Sequence, residues 1–417
     1  MTIRPPALAR CLVLFAAAFG VLHISVAISR ADDVPKQVDV FLSGTEGYHT
    51  YRIPAVVLSN RQTLLAFCEG RKTGHGDQGD LDLMLRRRPL TRSGGTTAGG
   101  PDGGNSWQPM QLVYEEGGTA KITIGNPCPV VDRQTGTIWL SFCRDNDRVF
   151  ITHSTDDGKS WAKPVEITAD VKKPEWGWYA TGPGHGIQLR SGRLVIPCDC
   201  RDKQGPGDWD QRGHSLVFYS DDHGKSWKLG GVTDAGMNEC QVVELADGSL
   251  LLSMRNYSGK NQRAFCTSTD AGMTWSQPKH HPQVYCPTCQ SSIQRYSLKP
   301  QNIIIYCGPG GPGRNNMTIR LSYDEGRTWP VAKVIHDGSS AYSDLVVVPD
   351  GTVGCLYERD NYKRITFACF TLDWLSGGDC QETAVGVPAD GSRGGAVDGV
   401  KQSSYRIVHR EPVPHDY

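Results

Sequence analysis

The pattern Ser-x-Asp-x-Gly-x-x-Trp occurs four times in this chain: at Ser154-Asp156-Gly158-Trp161, Ser220-Asp222-Gly224-Trp227, Ser268-Asp270-Gly272-Trp275 and Ser322-Asp324-Gly326-Trp329. A fifth copy, Asp102-Gly104-Trp107, lacks the Ser. Successive Trp residues lie 54, 66, 48 and 54 positions apart. Such a repeat confines the chain to an array of similar units. The motif has the chemistry of a tight turn. Asp accepts hydrogen bonds from backbone N–H groups just downstream, and Gly takes a positive φ. The Trp is expected to tuck its apolar face beneath the turn. Each copy follows a strand-like run such as Ser215–Ser220 or Arg320–Tyr323. A repeat of about fifty residues suits a four-stranded sheet, the period of a propeller blade. The motif Asp residues are therefore structural, not catalytic.

The rest of the chain agrees with an all-β reading. Gly (48) and Pro (25) are abundant among the 417 residues, which favours many turns over long helices. β-rich runs occur at Leu194–Pro197, Leu250–Met254, Ile303–Tyr306, Leu345–Val348 and Arg364–Phe370, with Asp247-Gly248 and Asp350-Gly351 as turn signals. No amphipathic helix of four turns is evident. Ser93–Gly100 reads as a flexible loop. Residues 377–417 read as a loosely ordered polar tail, with one candidate strand at Tyr405–His409.

Arg4 and Arg10 precede an apolar run from Cys11 to Leu22, and small residues follow at Ser25, Ala27, Ser29 and Ala31. This is the order of an export signal cleaved after Ala27 or Ala31, with an uncleaved N-terminal anchor as the alternative. Residues 1–31 are assigned to it, 32–376 to the propeller and 377–417 to the tail. No later stretch is long enough to span a membrane, so a secreted or periplasmic protein without stable membrane insertion is expected. Lys plus Arg and Asp plus Glu each number 44. Without a basic excess a nucleic-acid partner is not expected. Of 14 Cys, 13 remain after Cys11, an odd number that leaves at least one thiol or an intermolecular bridge. Cys286 and Cys289 form a lone CxxC near His280 and His281. A surface-loop disulfide or buried free thiols are the ordinary readings, and zinc the less ordinary one. Cys198 and Cys200 share one strand face, so no bridge is expected between them.

The repeated turns resemble the Asp boxes of the sialidase (neuraminidase) superfamily, and Tyr51-Arg52-Ile53-Pro54 resembles that family's Tyr/Phe-Arg-Ile-Pro motif. The resemblance spans roughly Val38 to Leu375 and implies a six-bladed β-propeller of four-stranded antiparallel sheets. It also implies an exo-α-sialidase needing no cofactor and no metal, acting on sialylated glycans or related acidic sugars.

Sialic acid carries a carboxylate on its anomeric carbon, so its site needs fixed positive charge, and Arg is the bidentate partner. By resemblance Arg52, Arg255 (in Ser253-Met254-Arg255-Asn256) and Arg314 (in Gly313-Arg314-Asn315) form an Arg triad. A carboxylate nucleophile would be repelled by the substrate's own carboxylate. A neutral Tyr activated by a Glu avoids this, and sialidases are an exception of this kind to the two-carboxylate scheme. Tyr342 matches the family Tyr and Glu239 the activating Glu. Asp77, in Gly76-Asp77-Gln78-Gly79, best matches the family acid/base, with Asp80 and Asp82 as neighbouring competitors. Glu358 matches the residue that orients Arg52. Arg71 resembles an Arg near the sugar 4-hydroxyl, and Asn126 a ring-contacting Asn. The run Pro197–Arg201 departs from the pattern, because Asp199 and Arg201 stand where animal-type members often place Tyr against the glycerol chain. A noncatalytic propeller binding acidic sugars is the alternative. It would need the Arg cluster but neither acid nor nucleophile. A second alternative is an enzyme for a related keto-sugar acid or a transglycosylating outcome.

Overall fold

Each complete Asp-box turn is built by the same hydrogen bonds. In the second copy the Ser220 hydroxyl donates to Asp222 Oδ1 (2.8 Å) and accepts from Gly224 N (2.8 Å). Asp222 in turn accepts from Ser226 N (2.9 Å) and from the Ser226 hydroxyl (2.6 Å). Gly224 has φ +84°, and a Cβ there would fall 2.1 Å from the Trp139 ring, so glycine is required twice over. The copies at Asp156, Asp270 and Asp324 repeat the pattern.

The computed structural model describes residues 35–90, 106–296 and 302–377. The export segment, the Ser93–Gly100 loop, the Asp102-Gly104 turn and the tail with Tyr405–His409 lie outside these residues. Twenty-four strands and two short helices, Thr168–Val171 and Leu372–Ser376, are present among them. No helix among the described residues is long and apolar enough to cross a membrane.

The strands group into six antiparallel blades. The first is Thr50–Leu58, Thr63–Arg71, Leu81–Pro89 and Gln111–Tyr114; the second begins at Ile124–Val131, the third at Trp176–Thr181 and the fourth at Met237–Glu244. The fifth and sixth share one 17-residue strand, Val331–Val347. Residues 331–339 pair with Asn315–Ser322 as the outer strand of the fifth blade. Residues 340–347 pair with Val353–Arg359 as the inner strand of the sixth. The sixth blade is completed by Lys36–Leu42, which pairs with Arg364–Phe370. The chain's first described strand thus closes the ring against its last.

Six apolar clusters lie between successive blades. The first–second cluster packs Ala55, Phe67 and Leu85 against Ile124, Leu140 and Phe142, and the sixth–first cluster packs Leu356 and Phe367 against Val56, Leu64 and Ala66. Face-to-face stacking explains why Thr63–Arg71 is buried at every position whereas the outer strand Lys279–Tyr285 has a single buried residue, Val284. The motif Trp residues belong to these seams. Each reaches the preceding blade, and Trp275 and Trp329 also lie against Gly272 and Gly326 of their own turns, as the motif chemistry implied. Trp161 meets Phe67 edge-on at 5.7 Å and Trp227 meets Trp139 at 5.9 Å. Trp275 donates to Gly231 O, Trp329 stacks on Phe265, and Trp107 meets Phe367 across the closing seam.

The Asp boxes join third to fourth strands, so strand alternation puts them at the end of the propeller opposite to Arg52, Arg255 and Tyr342. Hydrogen bonds, led by that from Ser226, draw the Asp222 carboxyl down from 3.8 to about 2. The stability it contributes is present above the ordinary Asp pKa and is lost as pH falls through about 2. Asp222→Ala is expected to cost about 1–2 kcal/mol in urea unfolding near neutral pH. That difference should shrink in acid.

Candidate active site

Four inner strands carry a β-bulge at the same end. The register shifts between Arg52 and Ala55, Gly125 and Cys128, Met237 and Cys240, and Ser340 and Ser343. These interruptions bracket or contain Arg52, Asn126, Glu239 and Tyr342. A bulge turns a side chain out of the regular alternation, and here it turns four toward the ring's mouth. Ile53 (φ +61°) and Asn126 (φ +59°) hold left-handed backbone at two of them. For β-branched Ile53 this is strained, and the N–H that it exposes is bound by Glu358 Oε1 (2.9 Å).

Glu358 is fully buried. Its Oε1 also accepts from Arg52 Nε (2.7 Å), and its Oε2 accepts from Tyr342 N (3.1 Å). One carboxylate therefore fixes both an arginine head group and the backbone of the tyrosine. The Tyr342 hydroxyl donates to Glu239 Oε1 at 2.5 Å. Arg255 Nη1 donates to Glu239 Oε2 (2.7 Å) and to the Tyr342 oxygen (2.9 Å). Burial and then the Glu239 carboxylate push the Tyr342 phenol well above its ordinary pKa, against Arg255 and Arg314. The resting phenol is neutral, with its proton directed at a carboxylate.

Arg52 and Arg314 flank the Tyr342 ring at 5.2 and 5.4 Å from its centroid. Arg314 donates to the Tyr362 hydroxyl (3.1 Å) and to Thr288 O (3.3 Å), and has no ion pair among the described residues. Its charge is unmatched and available to an anion. Asp77 lies opposite, its side chain 74% exposed, 2.9 Å from Arg71 Nη1 and 3.8 Å from Arg52 Nη1. Surrounding protein at the mouth partly desolvates its carboxyl and pushes it up, but Arg71, then Arg52 and Arg314, outweigh this and hold it below its ordinary value. The competitors are occupied elsewhere. Asp80 and Asp82 both pair with Lys72 (2.9 and 3.2 Å), and Asp82 also accepts from the Tyr48 hydroxyl.

Arg71 is 2% exposed and forks onto Glu69 Oε2 (3.0 and 2.7 Å), while Glu69 Oε1 accepts from Asn126 N (2.8 Å). Arg71 is thus an anchor for Asp77 more than an open surface. Glu69 is a residue that sequence reasoning passed over. Its place two residues before Arg71, on the same strand face, was the available signal. Tyr362 was also missed. Its ring lies under Arg52 at 4.2 Å, and nothing local in the sequence marks it.

Asp199 is buried, accepts from Asn238 Nδ2 (2.8 Å), and its Oδ1 has no hydrogen-bond partner. Burial and then Glu239 push its carboxyl up to about 8. Arg201 lies over Trp178, Trp209 and Tyr257 and donates to the Tyr257 hydroxyl (3.0 Å). The twelve described Cys residues are free thiols. Cys286 and Cys289 are therefore buried thiols and not a surface-loop disulfide, and buried Arg263 reaches both Cys286 Sγ and Cys289 O. Among the described residues no three His, Cys, Asp or Glu side chains are grouped to hold a metal.

Residues 62–355 match the family model of the BNR repeat-like domain. A sialidase of Micromonospora viridifaciens is 33% identical over 371 residues, 81% of this chain and 54% of the relative. An exo-alpha-sialidase of Aspergillus fumigatus is 30% identical over 382 residues, 81% of this chain and 87% of the relative. The chain belongs to the sialidase family. The solved Hadza microbial sialidase Hz136 superposes with a TM-score of 0.71 at 28% identity, over 81% of this chain and 69% of that one. This chain spans about half the length of the Micromonospora sialidase but most of the Aspergillus one.

Because Asp199 is held neutral in the fold, the folded protein keeps a proton that the unfolded chain releases above the ordinary Asp pKa of 3.8. Its contribution to stability therefore falls as pH rises from 3.8 to about 8. Urea unfolding of Asp199→Asn against wild type should show the difference moving in the variant's favour across that window.

Proposed function

We propose that the protein is an exo-α-sialidase that removes terminal sialic acid with retention of configuration. The observation that carries this reading is the Tyr342–Glu239–Arg255 hydrogen-bonded triple, set between Arg52 and Arg314 and facing Asp77. A propeller that only bound acidic sugars would have use for the arginines. It would have no use for a buried phenol donating its proton to a carboxylate.

In this mechanism the substrate carboxylate docks on Arg52, Arg255 and Arg314. The docked carboxylate offsets Arg52 and Arg314, two of the three cations that depress Asp77, which raises that carboxyl and favours the protonated acid needed at the leaving oxygen. As the glycosidic bond breaks, Asp77 gives its proton to the departing alcohol. The Tyr342 oxygen bonds to the anomeric carbon while its proton passes to Glu239 Oε1. Asp77, now ionised, removes a proton from water. The water oxygen attacks the anomeric carbon, the Tyr342 oxygen leaves, and Glu239 returns its proton. Two inversions give retention. Arg255, bonded to both Tyr342 and Glu239, stabilises charge on the pair throughout. Asn126 and Arg71 border the sugar on the Asp77 side, and Glu358 sets Arg52. Residues 1–31 are read as the export signal, which places the substrate among secreted or periplasmic glycans.

Release of 4-methylumbelliferone from its α-N-acetylneuraminide tests this. Asp77→Ala and Tyr342→Phe should each lower kcat/KM by about 10² or more with the fold intact. Undiminished turnover in Asp77→Ala would remove it as the acid. Binding of free sialic acid without turnover by wild type would favour the noncatalytic propeller.

A further inference from the structure

The third blade's inner strand breaks after Thr181, and residues 182–186 (Gly-Pro-Gly-His-Gly) run on before the short strand Ile187–Gln188. This segment touches four other blades. Gly186 N donates to Pro129 O of the second (2.9 Å) and Pro183 O accepts from Gln290, just before the fifth blade's inner strand (3.5 Å). His185 Nδ1 lies 2.8 Å from Asp344 Oδ1 of the sixth, and its Nε2 lies 2.9 Å from Gln294 Oε1 of the fifth. Asp344 Oδ1 also accepts from Gln241 Nε2 of the fourth (2.7 Å), and Oδ2 accepts from Val56 N of the first (2.7 Å). Gly184 is required by closeness alone, since a Cβ there would lie 1.8 Å from Gln241 Nε2 and 3.0 Å from Asp344 Oδ1. One segment and one carboxylate thus join all six blades, two residues along the strand from Tyr342.

Both imidazole nitrogens face acceptors. The Gln294 amide is oriented by its own bond from Nε2 to Arg295 O (3.2 Å), so its oxygen is the end turned toward His185. Asp344 already accepts from Val56, Gln241 and Leu345 N–H groups. A neutral ring could donate to only one of the two. We propose that His185 is held as an imidazolium on the propeller axis and that, through Asp344, it positions the strand carrying Tyr342. His185 is a positioning residue and touches no reacting atom. Burial pulls its pKa down, but the Asp344 charge and the bonds to Asp344 and Gln294 outweigh this and raise it. The fourth and fifth blades present neutral amides to the ring. The Cys128 and Cys355 thiols of the second and sixth blades, also near Asp344, are pushed far up by burial and stay neutral. The pair's contribution is full below the unfolded His pKa and is lost as pH rises through the raised folded one. An alkaline loss of kcat follows that belongs to none of Asp77, Glu239 or Tyr342.

The kinetic arm rests on the proposed sialidase reaction; a spectroscopic arm does not. In ¹H–¹⁵N spectra of ¹⁵N-histidine-labelled protein at about pH 7.5, the ring signal absent from His185→Gln should show both nitrogens protonated. Gln294→Met keeps the imidazole but removes its second acceptor, so it should return that ring toward a neutral tautomer. In both variants kcat should fall about tenfold with KM within about twofold, since the arginines are untouched and only the nucleophile's placement suffers. A neutral His185 ring in the wild type would overturn the imidazolium. Lowered melting temperature with unchanged kcat would overturn the positioning role. If the wild type turned over no sialoside, the proposed function would fall while the spectra still decided the state of His185.

Discussion

Two buried carboxylates hold the seam where the ring closes. Glu358 accepts from Arg52 and Ile53 of the first blade and from Tyr342 of the sixth. Asp344 accepts from Val56 of the first blade and from side chains of the third and fourth. Buried carboxylates are costly unless every lone pair is engaged, and these two are engaged by N–H groups from different blades. The closure that makes the propeller and the geometry that sets the arginine and tyrosine are therefore one set of bonds. Loss of either carboxylate would leave buried donors unpaired in both.

The two ends of the ring divide the work. At one end the Asp-box turns satisfy themselves internally and lend their Trp residues to the neighbouring seam. At the other end the inner strands break register, and the backbone strain at Ile53 is held by Glu358. Positive charge there is matched residue by residue: Arg52 by Glu358, Arg71 by Glu69, Arg255 by Glu239. Among the described residues Arg314 is the exception, and in the proposed reaction its unmatched charge is what attracts an acidic sugar.

The blade repeat was legible because Ser, Asp, Gly and Trp each answer to a local requirement of one turn. The blade boundaries, and the role of Lys36–Leu42 in closing the ring, were not, because pairing with Arg364–Phe370 crosses more than three hundred residues. At the site, Arg52 was legible through the resemblance of Tyr51-Arg52-Ile53-Pro54 to the family motif, and Asn126 through its own family resemblance. Tyr342, Glu239, Arg255 and Arg314 carried no local signal beyond family resemblance. Glu69, Tyr362, His185 and Asp344 were passed over because their meaning lies in partners far along the chain. The Trp residues were placed under their own turns, but their second partner was not legible, since a turn's own sequence cannot show the blade stacked beside it.

The account stands on Tyr342 as the group that bonds to the sugar. The most direct test is mass spectrometry of protein mixed with a 2,3-difluorinated sialic acid, whose fluorine at C3 slows departure from the enzyme. The account predicts one sugar adduct, on the peptide bearing Tyr342, with its bond at the phenolic oxygen. An adduct on Glu239 or Asp77, or full inactivation with Tyr342 unmodified, would contradict it.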